Sequence, residues 1–205
     1  MPDFAQPLRE QDVDPDPQRQ FAAWFADAAR AGVREPEAMA VATSSPAGAP
    51  SVRMVLLKSY DARGFVFYTN YESRKGLELA ENPRAALLFY WDPLGRQVRI
   101  EGGVQRTSPE ESAAYIGSRA RGSQLSALSS PQSSSVAGRD ALEERVAEVT
   151  KRFEGGELPI PDWWGGFRVA PDSYEFWQHR EDRLHDRLRY TPAGGDTWGI
   201  VRLAP

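Results

Sequence analysis

The stretch RAALLFYWDPLGRQVRIEGGVQR, residues 84–106, contains two apolar or alternating runs with the turn-forming residues DPLGR between them. Short runs rich in aromatic and branched apolar side chains are typical of strands, and Pro and Gly between two such runs are typical of turns. We therefore predict strands over residues 84–91 and 97–106, joined by a tight connection.

Similar runs lie on both sides of this pair. They are AMAVATS (38–44), SVRMVLLKSY (51–60), GFVFYTN (64–70), FRVA, SYEFWQ, RLHDRLRY and TWGIVRL. Several short strands joined by turns such as SPAGAP and DARG favour an antiparallel barrel or sandwich. The predicted fold class is mainly β with flanking helices, that is, α+β.

Four stretches predict helices around these strands. The first begins at Pro17, ends before Gly32 and carries apolar residues at helical spacing, namely Phe21, Trp24, Phe25 and Ala28. The others are SRKGLELAEN, SPEESAAYIGSR and RDALEERVAEVTKRFE. In the third stretch, Ser108 and Glu111 have the spacing of a capping box.

The domain organisation is simple. Residues 1–17 are polar, alternate Asp with Pro and predict a flexible N-terminal arm, while residues 18–205 predict a single domain. Residues 122–138, GSQLSALSSPQSSSVAG, are poor in apolar side chains, so their composition alone favours a flexible linker.

Composition excludes several classes of function. A net charge of −4 and a pI near 5.4 argue against nucleic acid or an anionic membrane as a partner. The chain has no Cys and two His, so we expect neither a disulfide nor a metal site. We find no signal peptide, no long apolar span, no G-x-S-x-G and no G-x-G-x-x-G, and we expect a cytoplasmic protein.

Two pairs of basic residues are candidates for anion binding. Arg74 and Lys75 fall in the first turn of a predicted helix, where the helix dipole disfavours cations unless a phosphate is bound there. The alternative is a solvated helix end. Arg53 and Lys58 bracket an apolar strand, and their opposite parity places them on opposite faces of a regular strand.

Polar side chains also cluster on the third helix and at strand ends. Tyr115 and Arg119 are four residues apart and Ser123 follows, which suits a phosphate monoester or, alternatively, an ordinary surface. Polar groups at 68–70 and 96–97 lie at the ends of predicted strands, where they can form a ligand rim around a barrel mouth.

As a strand, RLHDRLRY separates its side chains into two sets. One face carries Arg183, His185, Arg187 and Arg189, and the other carries Leu184, Asp186, Leu188 and Tyr190. A row of cations is unfavourable unless an anionic or π-rich group covers it. With Trp177 just upstream, this row predicts a planar anionic ligand, although a lone histidine is more often structural.

Taken in order, these segments resemble the pyridoxine (pyridoxamine) 5′-phosphate oxidase family. The matching motifs are RMVLLK, FYTN, SRKG, RQV, GSQ, QSS, WWGGFRV, EFWQ, RLHDRLRY and the terminal RLAP, and they span about Pro36 to Pro205. The resemblance implies an FMN-binding split β-barrel and an obligate homodimer with two flavins at the subunit interface. It also implies oxidation of pyridoxine or pyridoxamine 5′-phosphate to pyridoxal 5′-phosphate by O2, which yields H2O2.

The resemblance also implies roles for individual residues. The FMN contacts would be Arg53, Met54, Val55, Leu56, Leu57, Lys58, Tyr68, Thr69, Arg74, Lys75, Gln97, Trp177 and Arg187, with Gln132 and Ser133 coming from the partner subunit. The substrate phosphate would be held by Lys58, Tyr115, Arg119 and Ser123. The pyridine ring would be covered by Arg183, Leu184 and His185, of which Arg183 and His185 are the predicted catalytic residues.

Three features depart from the family's pattern. The acidic start lacks the basic, tyrosine-containing arm that often closes over the substrate. His179 stands where glycine is usual, and Ser126, Ala127 and Leu128 stand where Gly-Ala-Trp is common. Two alternatives therefore stay open: a flavin oxidase of another planar anion, of the phenazine-precursor type, and a non-catalytic protein that binds FMN or pyridoxal phosphate.

Overall fold

The computed structural model describes residues 6–205, which form nine strands and five helices. The strands are β1 (Ala38–Ser44), β2 (Pro50–Leu56), β3 (Ser59–Asp61), β4 (Gly64–Asn70), β5 (Arg84–Trp91), β6 (Arg96–Arg106), β7 (Trp164–Gln178), β8 (Asp186–Gly194) and β9 (Thr197–Arg202). The helices are α1 (Pro17–Arg30), α2 (Arg74–Glu81), α3 (Pro109–Ser118), α4 (Arg121–Ser129) and α5 (Arg139–Arg152). No helix within residues 6–205 is both long enough and apolar enough to cross a membrane.

All of these strands belong to one antiparallel sheet that curls into a half-barrel, which confirms the predicted fold class. Its main order is β2-β1-β5-β6-β7-β4-β3, with β8 beside β7 and β9 beside β8. The predicted pair of strands in residues 84–106 is the antiparallel hairpin of β5 and β6, which lies near the centre of this order. The strand predictions at 38–44, 64–70 and 84–91 match the observed bounds.

The long strand β7 joins the two parts of the sheet. It pairs with β6 over residues 167–178. Its opposite edge pairs with β4 over residues 164–169 and with β8 over residues 174–178. The sequence predicts two separate strands here, FRVA and SYEFWQ, whereas the structure has one continuous strand.

A bulge at Asp172 of β7 separates the half of this strand that pairs with β4 from the half that pairs with β8. The pairing of β6 with β7 shifts register between Glu101 and Gly102. A Cβ atom on Gly102 would lie 2.0 Å from the Ala170 carbonyl oxygen, so the backbones approach closely only because this residue is glycine.

The core is built on the aromatic face of α1. Phe21 is fully buried and makes edge-to-face contacts with Phe65 and Phe89, whose ring centroids lie 4.9 and 5.1 Å away. Trp24 packs in the same way on Phe176 of β7. The apolar spacing that predicts this helix therefore also identifies the side chains that fill the barrel.

Two predictions of flexible segments need correction. Within the predicted flexible arm, Leu8 and Val13 are buried in the core and the Tyr190 hydroxyl donates to the Asp14 carbonyl, so residues 6–16 are anchored. Residues 1–5 lie outside the described residues. Residues 122–129 of the predicted linker belong to α4, where Leu125 is buried against the fold and the hydroxyls of Ser126 and Ser129 bond to carbonyls one turn earlier.

The bulge gives a test of the fold. Gly102→Ala should lower the free energy of unfolding by about 1–3 kcal/mol, because its Cβ would overlap the Ala170 carbonyl. The matched control is Gly103→Ala, since a Cβ at Gly103 has no atom within 4 Å. Urea denaturation measures both variants, and equal stability of the two would contradict the close approach.

Candidate active site

A cavity of about 820 Å³ opens between β2, β4, α2 and the first residues of α4. We call it the basic cavity. Most predicted cofactor and phosphate ligands line it, namely Arg53, Met54, Val55, Leu56, Lys58, Tyr68, Thr69, Arg74, Lys75, Tyr115, Arg119, Ser123, Gln132 and Ser133. Leu57 does not, because its side chain is buried in the core.

The start of α2 forms one wall of the basic cavity. The Ser73 side chain caps this helix by accepting from the Gly76 amide, and Arg74 and Lys75 follow in the first turn, as predicted. A Cβ on Gly76 would lie 2.1 Å from the Tyr71 carbonyl oxygen. Glycine at this position therefore lets the helix start close to the end of β4.

Lys75 is a buried cation whose partners are neutral. It is 7% exposed, and its Nζ donates to Thr69 Oγ1 at 2.9 Å, to Ser73 Oγ at 3.2 Å and to Gln132 Oε1 at 2.9 Å. Burial, with a smaller effect from the nearby Arg53 guanidinium, lowers the pKa of Lys75 to about 8. An anion in the cavity would supply the counter-charge that this ammonium lacks.

A buried carboxylate holds two of the arginines of the cavity, Arg53 and Arg74. Glu78 accepts from Arg74 Nε at 2.9 Å, lies 3.5 Å from Arg53 Nη2 and also accepts from the hydroxyls of Thr43 and Ser51. Burial alone would raise the pKa of Glu78, but these hydrogen bonds and Arg74 lower it to about 2. Glu78 is thus a permanent anion behind the cations, and the sequence analysis did not identify it.

The predicted opposition of Arg53 and Lys58 is wrong. Strand β2 ends at Leu56, so Lys58 lies beyond the regular alternation and both cations line the same cavity. Alternation of side chains along a strand holds only within the strand. Because Lys58 follows the end of β2, its side chain can lie on the same side as that of Arg53.

An aromatic stack forms the opposite wall. Tyr68 and Tyr115 stack with ring centroids 3.9 Å apart, and Trp164 lies parallel to Tyr115 at 6.0 Å. The Arg119 guanidinium covers the Trp164 ring at 5.0 Å. Arg119 follows the last residue of α3 instead of lying on its face, and Ser123 is in α4. Trp164 was not assigned a role from the sequence.

A second group of predicted residues lies elsewhere on the sheet. It surrounds a depression of about 310 Å³, which we call the C-terminal cluster, lined by Leu88, Gln97, Arg99, Glu175, Trp177, His185, Arg187 and Pro205. Buried Glu175 accepts from Arg187 Nε at 2.8 Å and from Arg99 Nη2 at 2.7 Å. The hydrogen bonds that Arg187 donates to Glu175 raise the pKa of Arg187 and hold its guanidinium in place.

The strand prediction for RLHDRLRY is correct only from Asp186 onward. Asp186, Leu188 and Tyr190 are buried, whereas Arg183 lies in a short 3-10 turn over Glu181–Arg183. Asp182 and Arg183 have φ values of 56° and 60°, a left-handed conformation that costs non-glycine residues roughly 1–3 kcal/mol each. His179, which stands where the family usually has glycine, does not have a positive φ. The backbone strain of this turn is therefore at Asp182 and Arg183.

This turn orients His185. The Arg180 backbone N–H donates to His185 Nδ1 at 3.1 Å, and the imidazole packs on Trp177 with centroids 4.7 Å apart. A neutral imidazole that accepts at Nδ1 carries its proton on Nε2, so Nε2–H is the group it can offer to a ligand. Leu184 and Arg183 are exposed beside it.

The basic cavity and the C-terminal cluster have no lining residue in common within the chain. Gln132 belongs to the cavity of its own chain, where it contacts Lys75, and Ser133 lines the same cavity. This corrects the expectation that both come from a partner subunit. Besides Leu57, the predicted site residues that the chain does not bring to the basic cavity are Gln97, Trp177, Arg183, Leu184, His185 and Arg187.

The outer face of the sheet between these two places is apolar. Val52 and Met54 on β2 are 68% and 64% exposed, and Leu88 and Tyr90 on β5 are exposed as well. Val52 and Met54 lie opposite alanines of β1, which in turn pair with β5. A contiguous exposed apolar face of this kind is typical of a protein interface.

Comparison with known proteins gives consistent matches. Residues 25–153 match the family model described as pyridoxamine 5′-phosphate oxidase, and residues 164–205 match the pyridoxine 5′-phosphate oxidase C-terminal dimerisation region. The pyridoxine/pyridoxamine 5′-phosphate oxidase of Rubrobacter xylanophilus is 58% identical over 97% of this chain and 91% of its own. A chloroplastic pyridoxine/pyridoxamine 5′-phosphate oxidase of Arabidopsis thaliana is 52% identical over 97% of this chain and 38% of its own.

Solved structures agree with the fold. PhzG from Burkholderia lata, solved in complex with tetrahydrophenazine-1-carboxylic acid, is 36% identical with a TM-score of 0.89, covering 97% of this chain and 98% of its own. A pyridoxamine 5′-phosphate oxidase-related, FMN binding protein from Nostoc punctiforme has a TM-score of 0.70 at 17% identity, covering 92% and 97% of the two chains. The latter shows the split-barrel fold alone.

The buried ammonium of Lys75 gives a test of the cavity's electrostatics. Lys75→Met should stabilise the ligand-free protein at pH 7 by about 1–2 kcal/mol, because a lysine whose pKa is lowered by burial destabilises the folded state while it is protonated. In this variant the oxygens that accept from Lys75 still have hydrogen-bond partners. Thr69 also bonds to Gln132, and Ser73 also bonds to the Asn70 carbonyl.

The pH dependence makes this test specific. The gain should shrink as the pH rises from 8 toward 10.5, because in that range the unfolded chain binds more protons than the folded one. Exposed Lys151 provides the control Lys151→Met. Urea denaturation at pH 7 and 10 measures the difference, and a gain that is the same at both pH values would be inconsistent with a buried charged lysine.

Proposed function

Because the chain belongs to the pyridoxamine 5′-phosphate oxidase family, we propose that it oxidises pyridoxine or pyridoxamine 5′-phosphate to pyridoxal 5′-phosphate, with FMN as cofactor and O2 as acceptor. The observation that carries this proposal is the basic cavity, which offers two separate sets of phosphate ligands. One set is at the start of α2 and the other is at Lys58, Arg119 and Ser123.

The first set fits the phosphate of FMN. Arg53, Arg74 and Lys75 bring three cations to one end of the cavity, together with the amides at the start of a helix. Glu78 fixes the two guanidiniums, and buried Lys75 has no carboxylate among its three hydrogen-bond partners. A dianionic phosphate would satisfy this arrangement, and a cavity of about 820 Å³ has room for a flavin nucleotide beside a small substrate.

The second set fits the phosphate of the substrate. Lys58 and Arg119 supply charge, and the hydroxyls of Tyr115 and Ser123 supply hydrogen bonds. Arg119 is held against the Trp164 ring, so its position is fixed before the ligand arrives. Tyr115 stacks on Tyr68 at 3.9 Å and lies parallel to Trp164 at 6.0 Å, so its ring is also held by packing. Preorganised ligands of this kind lower the entropic cost of binding.

Completion of the site requires a second copy of the chain. Gln97, Trp177 and Arg187 would reach the flavin, and Arg183 and His185 the substrate ring, only from a partner whose C-terminal cluster faces the basic cavity. Two observations support this arrangement: residues 164–205 match the dimerisation region, and the apolar face carrying Val52, Met54, Leu88 and Tyr90 lies between the two places. We infer that FMN lies at this subunit interface.

When bound, FMN would supply hydride acceptance and reoxidation by O2, with H2O2 as the product and, for the amine substrate, with water consumed and ammonia released. The chain's residues would bind and orient the substrate. The phosphate ligands would hold the substrate phosphate, and Arg183 and His185 would cover one face of its ring and so fix its orientation. Arg187, fixed by Glu175, places a positive charge where negative charge accumulates.

A second candidate is oxidation of another planar anion, which the similarity to PhzG favours. The set of Lys58, Tyr115, Arg119 and Ser123 favours a phosphate ester over a carboxylate alone, because it offers more donors than a carboxylate uses. A protein that only binds FMN or pyridoxal phosphate is the third possibility. Such a protein would be yellow if it bound FMN, or would show the absorbance of a bound aldehyde if it bound pyridoxal phosphate. Its flavin would not be reduced by pyridoxamine 5′-phosphate.

Anaerobic mixing of the FMN-loaded protein with pyridoxamine 5′-phosphate tests the function. We expect the flavin absorbance to bleach in a single turnover and to return when O2 is admitted. Arg183→Ala and His185→Ala should slow bleaching by roughly 10- to 100-fold while FMN stays bound, because they orient the substrate ring and not the cofactor. Absence of bleaching in the unsubstituted protein would overturn the function, and unchanged rates in both variants would overturn the assigned roles.

Cofactor affinity tests the assignment of the first phosphate set. FMN binding should weaken above about pH 8, where Lys75 loses its proton, and Lys75→Ala should weaken it by roughly 10- to 100-fold at pH 7. Fluorescence titration with FMN measures both effects, and riboflavin, which lacks the phosphate, is the control. An equal loss of riboflavin affinity would contradict a phosphate contact.

A further inference from the structure

Asp186 is a buried carboxylate between two predicted site residues, His185 and Arg187. Its Oδ1 accepts from Arg202 Nη1 at 2.6 Å, and its Oδ2 accepts from the Leu8 backbone N–H at 3.0 Å. Arg180 Nε lies 3.7 Å from the same carboxylate. Asp186 therefore connects the start of β8 to the end of β9 and to the N-terminal segment.

The N-terminal segment is bound on the same side by further contacts. Arg202 donates to the Leu8 carbonyl at 2.6 Å and to the Glu10 carboxylate at 3.0 and 3.1 Å. Gln178 Nε2 donates to the Gln6 carbonyl at 3.0 Å. We call residues 6–10, so held, the docked arm.

These contacts lie at the base of the turn that carries Arg183 and His185. Gln178 is the last residue of β7 and Asp186 the first of β8, and the two are paired across the strands. The docked arm bonds to both. Residues 179–185 thus connect two strand ends, Gln178 and Asp186, and the docked arm holds both of them.

The turn is held by several contacts. They include the Arg180 amide to His185 Nδ1, a 3.3 Å bond from the Leu184 amide to the Glu181 carbonyl and a 2.7 Å bond from the His179 amide to the Gly95 carbonyl. Asp182 and Arg183 hold left-handed φ values, which persist in non-glycine residues only where the surroundings impose them. The clamp at the base is one of the contacts that constrain the turn in this way.

We propose that Asp186, clamped by Arg202 and the docked arm, is a positioning residue that holds the turn in the conformation from which Arg183 and His185 reach the substrate. This proposal rests on the proposed function of those two residues. The carboxylate lines neither the basic cavity nor the C-terminal cluster. It acts because loosening the base of the turn would move both side chains, and misplacement by about 1 Å can cost about 100-fold in rate.

The test uses the FMN-loaded protein and the single-turnover bleaching by pyridoxamine 5′-phosphate. Asp186→Asn and Arg202→Met should each lower the rate constant of flavin reduction by about 10- to 100-fold, with Arg202→Lys between Arg202→Met and the unsubstituted protein. The affinity for FMN should change by less than about twofold, because the phosphate ligands lie in the basic cavity and the neighbouring Arg187 is held by Glu175 and the Ala204 carbonyl, not by Asp186. The control Arg84→Met breaks an exposed ion pair with Asp172 and should leave the reduction rate unchanged.

The outcomes separate the two proposals. If the unsubstituted protein does not bleach, the proposed function fails whatever the variants do. If it bleaches and Asp186→Asn and Arg202→Met both react within about twofold of it, the positioning role is wrong and the function stands. Parallel losses of FMN affinity and reduction rate would indicate a general structural role and would also overturn the proposal. Should Asp186→Asn not fold, the order of the two Arg202 variants decides.

Discussion

The architecture depends on one strand that pairs with three partners. Strand β7 pairs with β6 along one edge and with both β4 and β8 along the other, so its two halves belong to different parts of the half-barrel. The β4 half adjoins the basic cavity through Trp164, and the β8 half carries Trp177 and leads to His185. Backbone hydrogen bonding along a single strand therefore sets the spacing between the two sets of site residues.

In both the basic cavity and the C-terminal cluster, a buried carboxylate holds arginine side chains in place. At the cavity, buried Glu78 neutralises part of the charge of two arginines and fixes them, while Lys75 is left with neutral partners. In the C-terminal cluster, Glu175 plays the same part for Arg187 and Arg99. A buried carboxylate costs free energy unless several donors satisfy it, and in both places at least two cationic or hydroxyl donors do so. The arginines are consequently oriented before any anion arrives.

The sequence predicts regular elements well where periodicity is set by burial on one face. Strands β1, β4 and β5 and the core face of α1 follow directly from apolar spacing. Prediction fails where tertiary contacts override local pattern. Helix α4 forms from a serine-rich segment in which Leu125 is buried against the fold. Residues 183–185 precede the strand, with Arg183 in the turn Glu181–Arg183, and β8 begins only at Asp186, whose carboxylate bonds to Arg202 of β9.

The site residues also divide into those that the sequence identifies and those that only tertiary contacts reveal. Motif resemblance identifies most residues of the basic cavity, including Arg74, Lys75 and Arg119. It does not identify Glu78 or Asp186, which act on other side chains and lie among ordinary helix and strand positions. Nor could spacing alone indicate that Gln132 approaches Lys75 within its own chain, because that contact joins residues far apart in sequence. Contacts between distant segments become visible only in three dimensions.

The separation of the basic cavity from the C-terminal cluster has a genetic consequence. If each site in a dimer takes its cavity from one subunit and its cluster from the other, inactivating substitutions fall into two complementation groups. A mixed dimer of a cavity mutant and a cluster mutant then contains one site with both defects and one with neither. Co-expression of two inactive alleles restores up to half of the activity per mixed dimer, whereas two alleles from the same group restore none.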